Sequence, residues 1–147
     1  MALKLFLAVA VALLFAAAAS AATFTRTNAC LKAHHVLVAP GAAKDITRYG
    51  VVVRQIESFS FHGIPAGVYD NGTLIFERTA AEATTAQHTL YVRLAARLIR
   101  LSNGKVSPYT IRLNLRRTEA VVGNIVVIWS SYPQKAVAKS TVYACLR

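Results

Sequence analysis

The chain has 147 residues, 17 Lys and Arg against 6 Asp and Glu, and a formal net charge of +11. That length excludes a large multidomain assembly and is enough for one domain with a real core. The charge favours anionic partners, and it equally serves solubility alone.

Met1 to Ala21 has the layout of a secretory signal peptide. Lys4 precedes an unbroken apolar run from Leu5 to Ala19, and Ala19-Ser20-Ala21 is a small-residue exit. The run is too short and too rich in alanine for a membrane span. The expected organisation is a leader over 1–21 and one secreted, extracellular β-rich domain over 22–147. Loss of Lys4 lowers the net charge from +11 to +10. No later apolar run is long enough to span a bilayer, and no retention or lipid-anchor signal follows.

Beyond the leader there are two cysteines, Cys30 and Cys145. In an oxidising compartment such a pair reads as one disulfide, here joining the N- and C-terminal strands. Ala33 to Ala39 reads as a strand stopped by Pro40-Gly41. Val51-Val52-Val53 marks a buried strand within Tyr49 to Ile56. Ser58 to His62 alternates, with Phe59 and Phe61 on one side and Ser58, Ser60 and His62 on the other. Gly63, Pro65 and Gly67 end that run. Asp70-Asn71-Gly72 reads as a hairpin turn between Val68-Tyr69 and Leu74-Ile75-Phe76. Asn71-Gly72-Thr73 is also an N-x-T sequon, which makes Asn71 a glycosylation candidate at the hairpin tip.

The stretch from Ala80 to Leu101 has two readings. Leu90, Leu94, Leu98 and Leu101 fit one helical face, with Arg93, Arg97 and Arg100 on another. A strand would turn Leu90, Val92 and Leu94 inward and bulge near Ala95-Ala96. Asn103-Gly104 would then fold the run back into Val106 to Leu115, and this hairpin favours the strand. Thr110 to Arg116 alternates Ile111, Leu113 and Leu115 with Arg112, Asn114 and Arg116. Ile125 to Trp129 and Thr141 to Leu146 complete the series. About eight closely spaced strands predict an all-β domain, a small antiparallel β-sandwich or flattened barrel.

No motif points to catalysis. The chain lacks a G-x-S-x-G elbow, a phosphate-binding glycine loop and a suggestive carboxylate pair, so neither an enzyme nor a cofactor is expected. The histidines are His34, His35, His62 and His88. His34 and His35, as neighbours on a strand, would point to opposite faces, and no metal site is expected. Arginine is the distinctive polar residue. Arg93, Arg97 and Arg100 on one strand and Arg112, Arg116 and Arg117 on its neighbour would form a basic face. Such a face suits sulfate, phosphate or carboxylate through paired contacts, with Tyr91 and Tyr109 interleaved. A solvated outer face without a ligand is the alternative.

Two stretches resemble a known family. His35-Val36-Leu37-Val38, Asp45 and Tyr49 to Arg54 form the first. Thr110-Ile111-Arg112-Leu113, Arg117 and Gly123 to Ile128 form the second. They resemble the multiprotein bridging factor two-like, or probable salivary secreted peptide, family of small insect secreted proteins. The chain departs from that family in its centre, where Gln87 to Ser102 contains no glycine, and in its Cys30 and Cys145 pair. The resemblance implies a secreted insect β-protein. The family's coactivator role conflicts with a leader peptide, and no functional residues carry over. The expected function is binding of anionic extracellular partners (glycan, lipid or microbial surface), without nucleic acid in vivo. The alternatives are a cationic host-defence protein acting on membranes, and a structural or glandular secretion without a discrete site.

Overall fold

The computed structural model describes residues 23–61, 70–130 and 135–147. The expected leader at 1–21, His62, the Gly63–Gly67 break and Val68-Tyr69 lie outside them. The described residues form a mixed α/β fold, and the all-β sandwich or barrel is overturned. Five strands make one open antiparallel sheet: β1 (Val36–Pro40), β2 (Gln55–Phe61), β3 (Asn71–Phe76), β4 (Glu119–Val122) and β5 (Ile125–Trp129), in the order β1-β2-β3-β5-β4. Helices cover both faces. Helix α1 spans described residues 23–33. It is followed by α2 (Ala43–Thr47), α3 (Ala80–Ser102), α4 (Pro108–Thr118) and α5 (Ala136–Cys145).

Strand alternation separates two cores. Val36, Phe59, Leu74, Phe76, Ile125, Val127 and Trp129 face Leu31 of α1 and Ala138, Val142 and Cys145 of α5. Ile75 and Val126 face the other way, onto Ala83, Ala86 and Leu90 of α3. The second half of α3 carries α4, through Ala95 against Ile111 and Leu115. The result is three layers, helix–sheet–helix.

The local chemistry explains the helices that replace expected strands. Thr79 caps α3: its hydroxyl accepts the Glu82 N–H at 3.1 Å, and the Glu82 carboxylate accepts the Arg78 N–H at 3.0 Å. The carboxylate thus reaches the residue before the cap, a variant of the capping box. Asn103 and Gly104, at φ of 46° and 78°, stop α3 in the left-handed region. The expected hairpin there is a helix terminus. Ser107 then caps α4, accepting the Thr110 N–H at 3.1 Å, with Pro108 in the first turn. Thr110–Arg116 is therefore helical, and Ile111 and Leu115 are buried one helical turn apart. The last expected strand, Thr141–Leu146, is the end of α5, where Ala138, Val142 and Cys145 recur at helical spacing. The strand expected over Tyr49–Ile56 begins only at Gln55.

Asp70-Asn71-Gly72 is also not a turn. Asn71 and Gly72 lie in β3, where they pair with Ser60 and Phe59 of β2. Glycine is required there, because a Cβ on Gly72 would collide with the Ile128 carbonyl oxygen and the Phe59 ring. The sequon asparagine is thus half-buried in an interior strand and not at a hairpin tip.

The Cys30–Cys145 disulfide is present, with the two Cα atoms 5.5 Å apart. It joins helices α1 and α5, not two strands, and staples one helical layer over a sequence separation of 115. Closing so long a loop restricts the unfolded chain, with an upper value of about 4–5 kcal/mol. Among the described residues, no helix is long and apolar enough to cross a membrane.

Candidate anion-binding face

The outer side of α3 carries the positive charge. Arg93, Arg97 and Arg100 recur at i, i+4 and i+7, so they stack along one stripe of the helix over about 10 Å. All three are exposed. The segment after α2 packs beside them and adds Arg48 and Tyr49. Arg48, Tyr49, Arg93, Ala96, Arg97 and Arg100 together line a groove of about 360 Å³.

Tyr49 organises this groove. The Arg48 and Arg97 guanidinium carbons lie 5.2 Å and 6.0 Å from its ring centroid. Arg97 Nη1 donates to the Tyr49 hydroxyl at 3.3 Å. Such ring contacts hold guanidinium groups side by side and leave N–H donors free for a ligand. Gly50, at φ +75°, makes room for Arg93: a Cβ there would lie 2.6 Å from Arg93 Nη1. Asp45 approaches the groove, with its Oδ1 3.8 Å from Arg48 Nη1. Both partners are half exposed, so this pair neutralises little of the groove's charge.

A second basic groove runs along the other side of the same ridge. Tyr91, Val92, Ala95, Ala96, Ile99, Arg112 and Arg116 line it, with a volume of about 400 Å³. Arg116 lies 5.8 Å from the Tyr91 centroid. Ala96 belongs to both grooves, so α3 and α4 present them as neighbours. Five of the six arginines expected from sequence are therefore brought together, on two helices instead of two strands. Arg117 is exposed but lines neither groove. It follows Arg116 by one helical position, a rotation of about 100°. Tyr109 is exposed on α4 and also lines neither groove. Arg48, which sequence reasoning missed, takes the sixth place. Its one local signal is the Arg48-Tyr49-Gly50 order, in which the glycine admits a neighbouring side chain.

The acidic residues have been withdrawn from this surface. Glu57, Asp70, Glu77 and Glu119 are buried, four of the chain's six Asp and Glu. Asn28 donates to Glu57, and the Lys135 N–H donates to Asp70 Oδ2 at 3.0 Å, at the start of α5. Burial raises the carboxyl pKa of Glu57 and of Glu77, the latter helped by Glu82. Glu119, with Gln87 as its hydrogen-bond partner, is pushed up to about 7 by burial. Folding thus hides negative charge and leaves arginine outside.

The other candidate positions do not converge here. His34 and His35 occupy the turn after α1, with His35 at φ 57°, not a strand. His34 lies beside the disulfide, where Cys30, His34 and Cys145 ligand atoms fall within 4.8 Å of one another. The two sulfurs are bonded to each other, so neither is the thiolate that a metal requires. His88 is exposed on α3. Comparison with protein-family models, with curated proteins and with solved structures found no match.

Proposed function

We propose that this protein is a secreted, non-enzymatic polyanion-binding protein whose ligands are sulfated or otherwise acidic glycans. The observation that carries the reading is the gathering of Arg48, Arg93, Arg97 and Arg100 in the groove that Tyr49 also lines, with Arg112 and Arg116 across the Ala96 ridge. Like charges gathered in one groove repel one another, and an anion entering it relieves that repulsion. Planar guanidinium forks take two oxygens of a sulfate or carboxylate at once. A row of arginines one helical turn apart suits a linear chain of anions better than one compact anion. The disulfide and the expected leader support an extracellular site of action.

The test compares two triple variants of equal charge on heparin resin. Arg93→Ala/Arg97→Ala/Arg100→Ala removes three of the first groove's four arginines. Lys32→Ala/Lys139→Ala/Arg147→Ala removes the same charge from the opposite helical layer. The first variant is expected to elute at much lower salt than the native protein, and the second close to it. Equal shifts would mean that composition, not this face, governs binding. Release of contents from anionic vesicles by the native protein would instead favour the membrane-acting reading.

A further inference from the structure

A separate groove lies between the C-terminal half of α3, α4 and the end of β5, with a volume of about 580 Å³. That size falls in the range of small-molecule sites. Its walls are mainly apolar: Leu94, Leu98 and Leu101 of α3, Val106 of the connection, Ile111 of α4 and Ile128 of β5. Leu101 and Val106, at 65% and 41% exposure, keep its mouth lined with hydrocarbon. None of the arginines of the two basic grooves lines it.

One ionisable side chain belongs to this apolar wall. Glu119 ends α4 and begins β4, opposite Ile128. It is 8% exposed. Its Oε2 accepts from Gln87 Nε2 at 3.1 Å, while its Oε1 is buried and has no hydrogen-bond partner. Leaving a buried acceptor without a partner is unfavourable. A ligand that donates to it recovers that loss, and hydrocarbon on the same ligand fills the groove.

We infer that this groove binds a small, largely apolar alcohol, whose hydroxyl bonds to the Glu119 carboxyl group at the groove wall while its hydrocarbon lies against Leu94, Leu98, Leu101 and Ile111. A hydroxyl suits the site in either protonation state, since it donates to a carboxylate and accepts from a carboxylic acid. The protein's large positive charge opposes an ammonium head group, and the carboxylate of Glu119 opposes a fatty-acid one. An aliphatic alcohol has neither conflict.

The test titrates octan-1-ol and heptyl methyl ether, which have the same atoms but differ in the hydroxyl donor. Calorimetry is the readout. The native protein is expected to bind the alcohol about tenfold more tightly than the ether, the effect of one hydrogen bond to a buried acceptor. Glu119→Met keeps the side-chain size and removes the acceptor, so the preference should vanish while ether binding persists. Leu101→Asp, at an exposed position that folding does not depend on, should weaken both ligands. Absence of saturable alcohol binding would overturn the proposal. So would equal affinities in the native protein, a preference that survives Glu119→Met, or octylamine binding more tightly than octanol. None of these outcomes bears on heparin affinity, which reads the arginine grooves alone.

Discussion

Glu119 is surrounded by leucine and isoleucine and shares one hydrogen bond with Gln87, which is why its carboxyl titrates near 7. A folded pKa above the unfolded value means that the folded state holds the proton more tightly. Stability from this group is complete below about pH 4.5 and is lost as pH rises through 7. Glu119→Gln removes the ionisation and leaves an amide in its place. The variant is therefore expected to gain on the native protein between pH 5 and pH 8, by on the order of 2 kcal/mol. Urea denaturation at the two pH values reads this directly. An equal difference at both would show that Glu119 ionises freely in the folded protein. Glu57 and Glu77 titrate in both proteins, so comparing the two isolates Glu119. At the same scale, Asn103-Gly104 shows what a dipeptide can and cannot say. Both residues adopt positive φ, as a hairpin turn would require, but they end a helix. The dipeptide specifies the backbone angles, and the flanking elements decide what the bend connects.

Helix α3 carries three faces along its 23 residues. Ala83, Ala86 and Leu90 meet the sheet, Ala95 meets α4, and the arginines meet solvent. Leu90 is 2% exposed and Leu101 is 65% exposed. Leu90→Ala is thus expected to cost about 2–5 kcal/mol and Leu101→Ala almost nothing, measured by thermal or urea unfolding. Comparable losses at both would contradict the burial of Leu90 between α3 and the sheet. The helical face of α3 is legible in the leucine spacing, as are β5 and most of β1 in their apolar runs. Asn103-Gly104 pulls the reading of this region toward a strand hairpin, and two local signals outweigh it. Thr79-x-x-Glu82 is a helix start, and Ser107-Pro108 is another. Ile111, Leu113 and Leu115 do not settle the matter, because residues four apart share a face in a helix and in a strand. Only the cap decides between them. The disulfide partners are legible from the cysteine count, but not the elements they join.

At the scale of the molecule, the fold sorts charge by depth. Four carboxylates are buried, while Arg48, Arg93, Arg97, Arg100, Arg112 and Arg116 stand around one exposed ridge. Composition makes the sign of this surface legible. It cannot show the burial of the acids, which depends on the layers that α1, α3 and α5 place over the sheet. Most of the same arginines converge under a strand or a helix reading for a physical reason. Arg93 and Arg97, like Arg112 and Arg116, lie four apart and share a face in either structure, and a turn returns α4 to α3 as a hairpin would pair two strands. Arg48 is out of reach of the sequence, since only the packing of its segment on α3 brings it in. The most direct measurement of the central claim is the salt dependence of heparin binding. Each arginine removed from the binding face should reduce the slope of log affinity against log salt by about one. Arg93→Ala/Arg97→Ala/Arg100→Ala should therefore lower the slope by about three, and Lys32→Ala/Lys139→Ala/Arg147→Ala should leave it nearly unchanged. The same slope for both variants would contradict a binding face on α3.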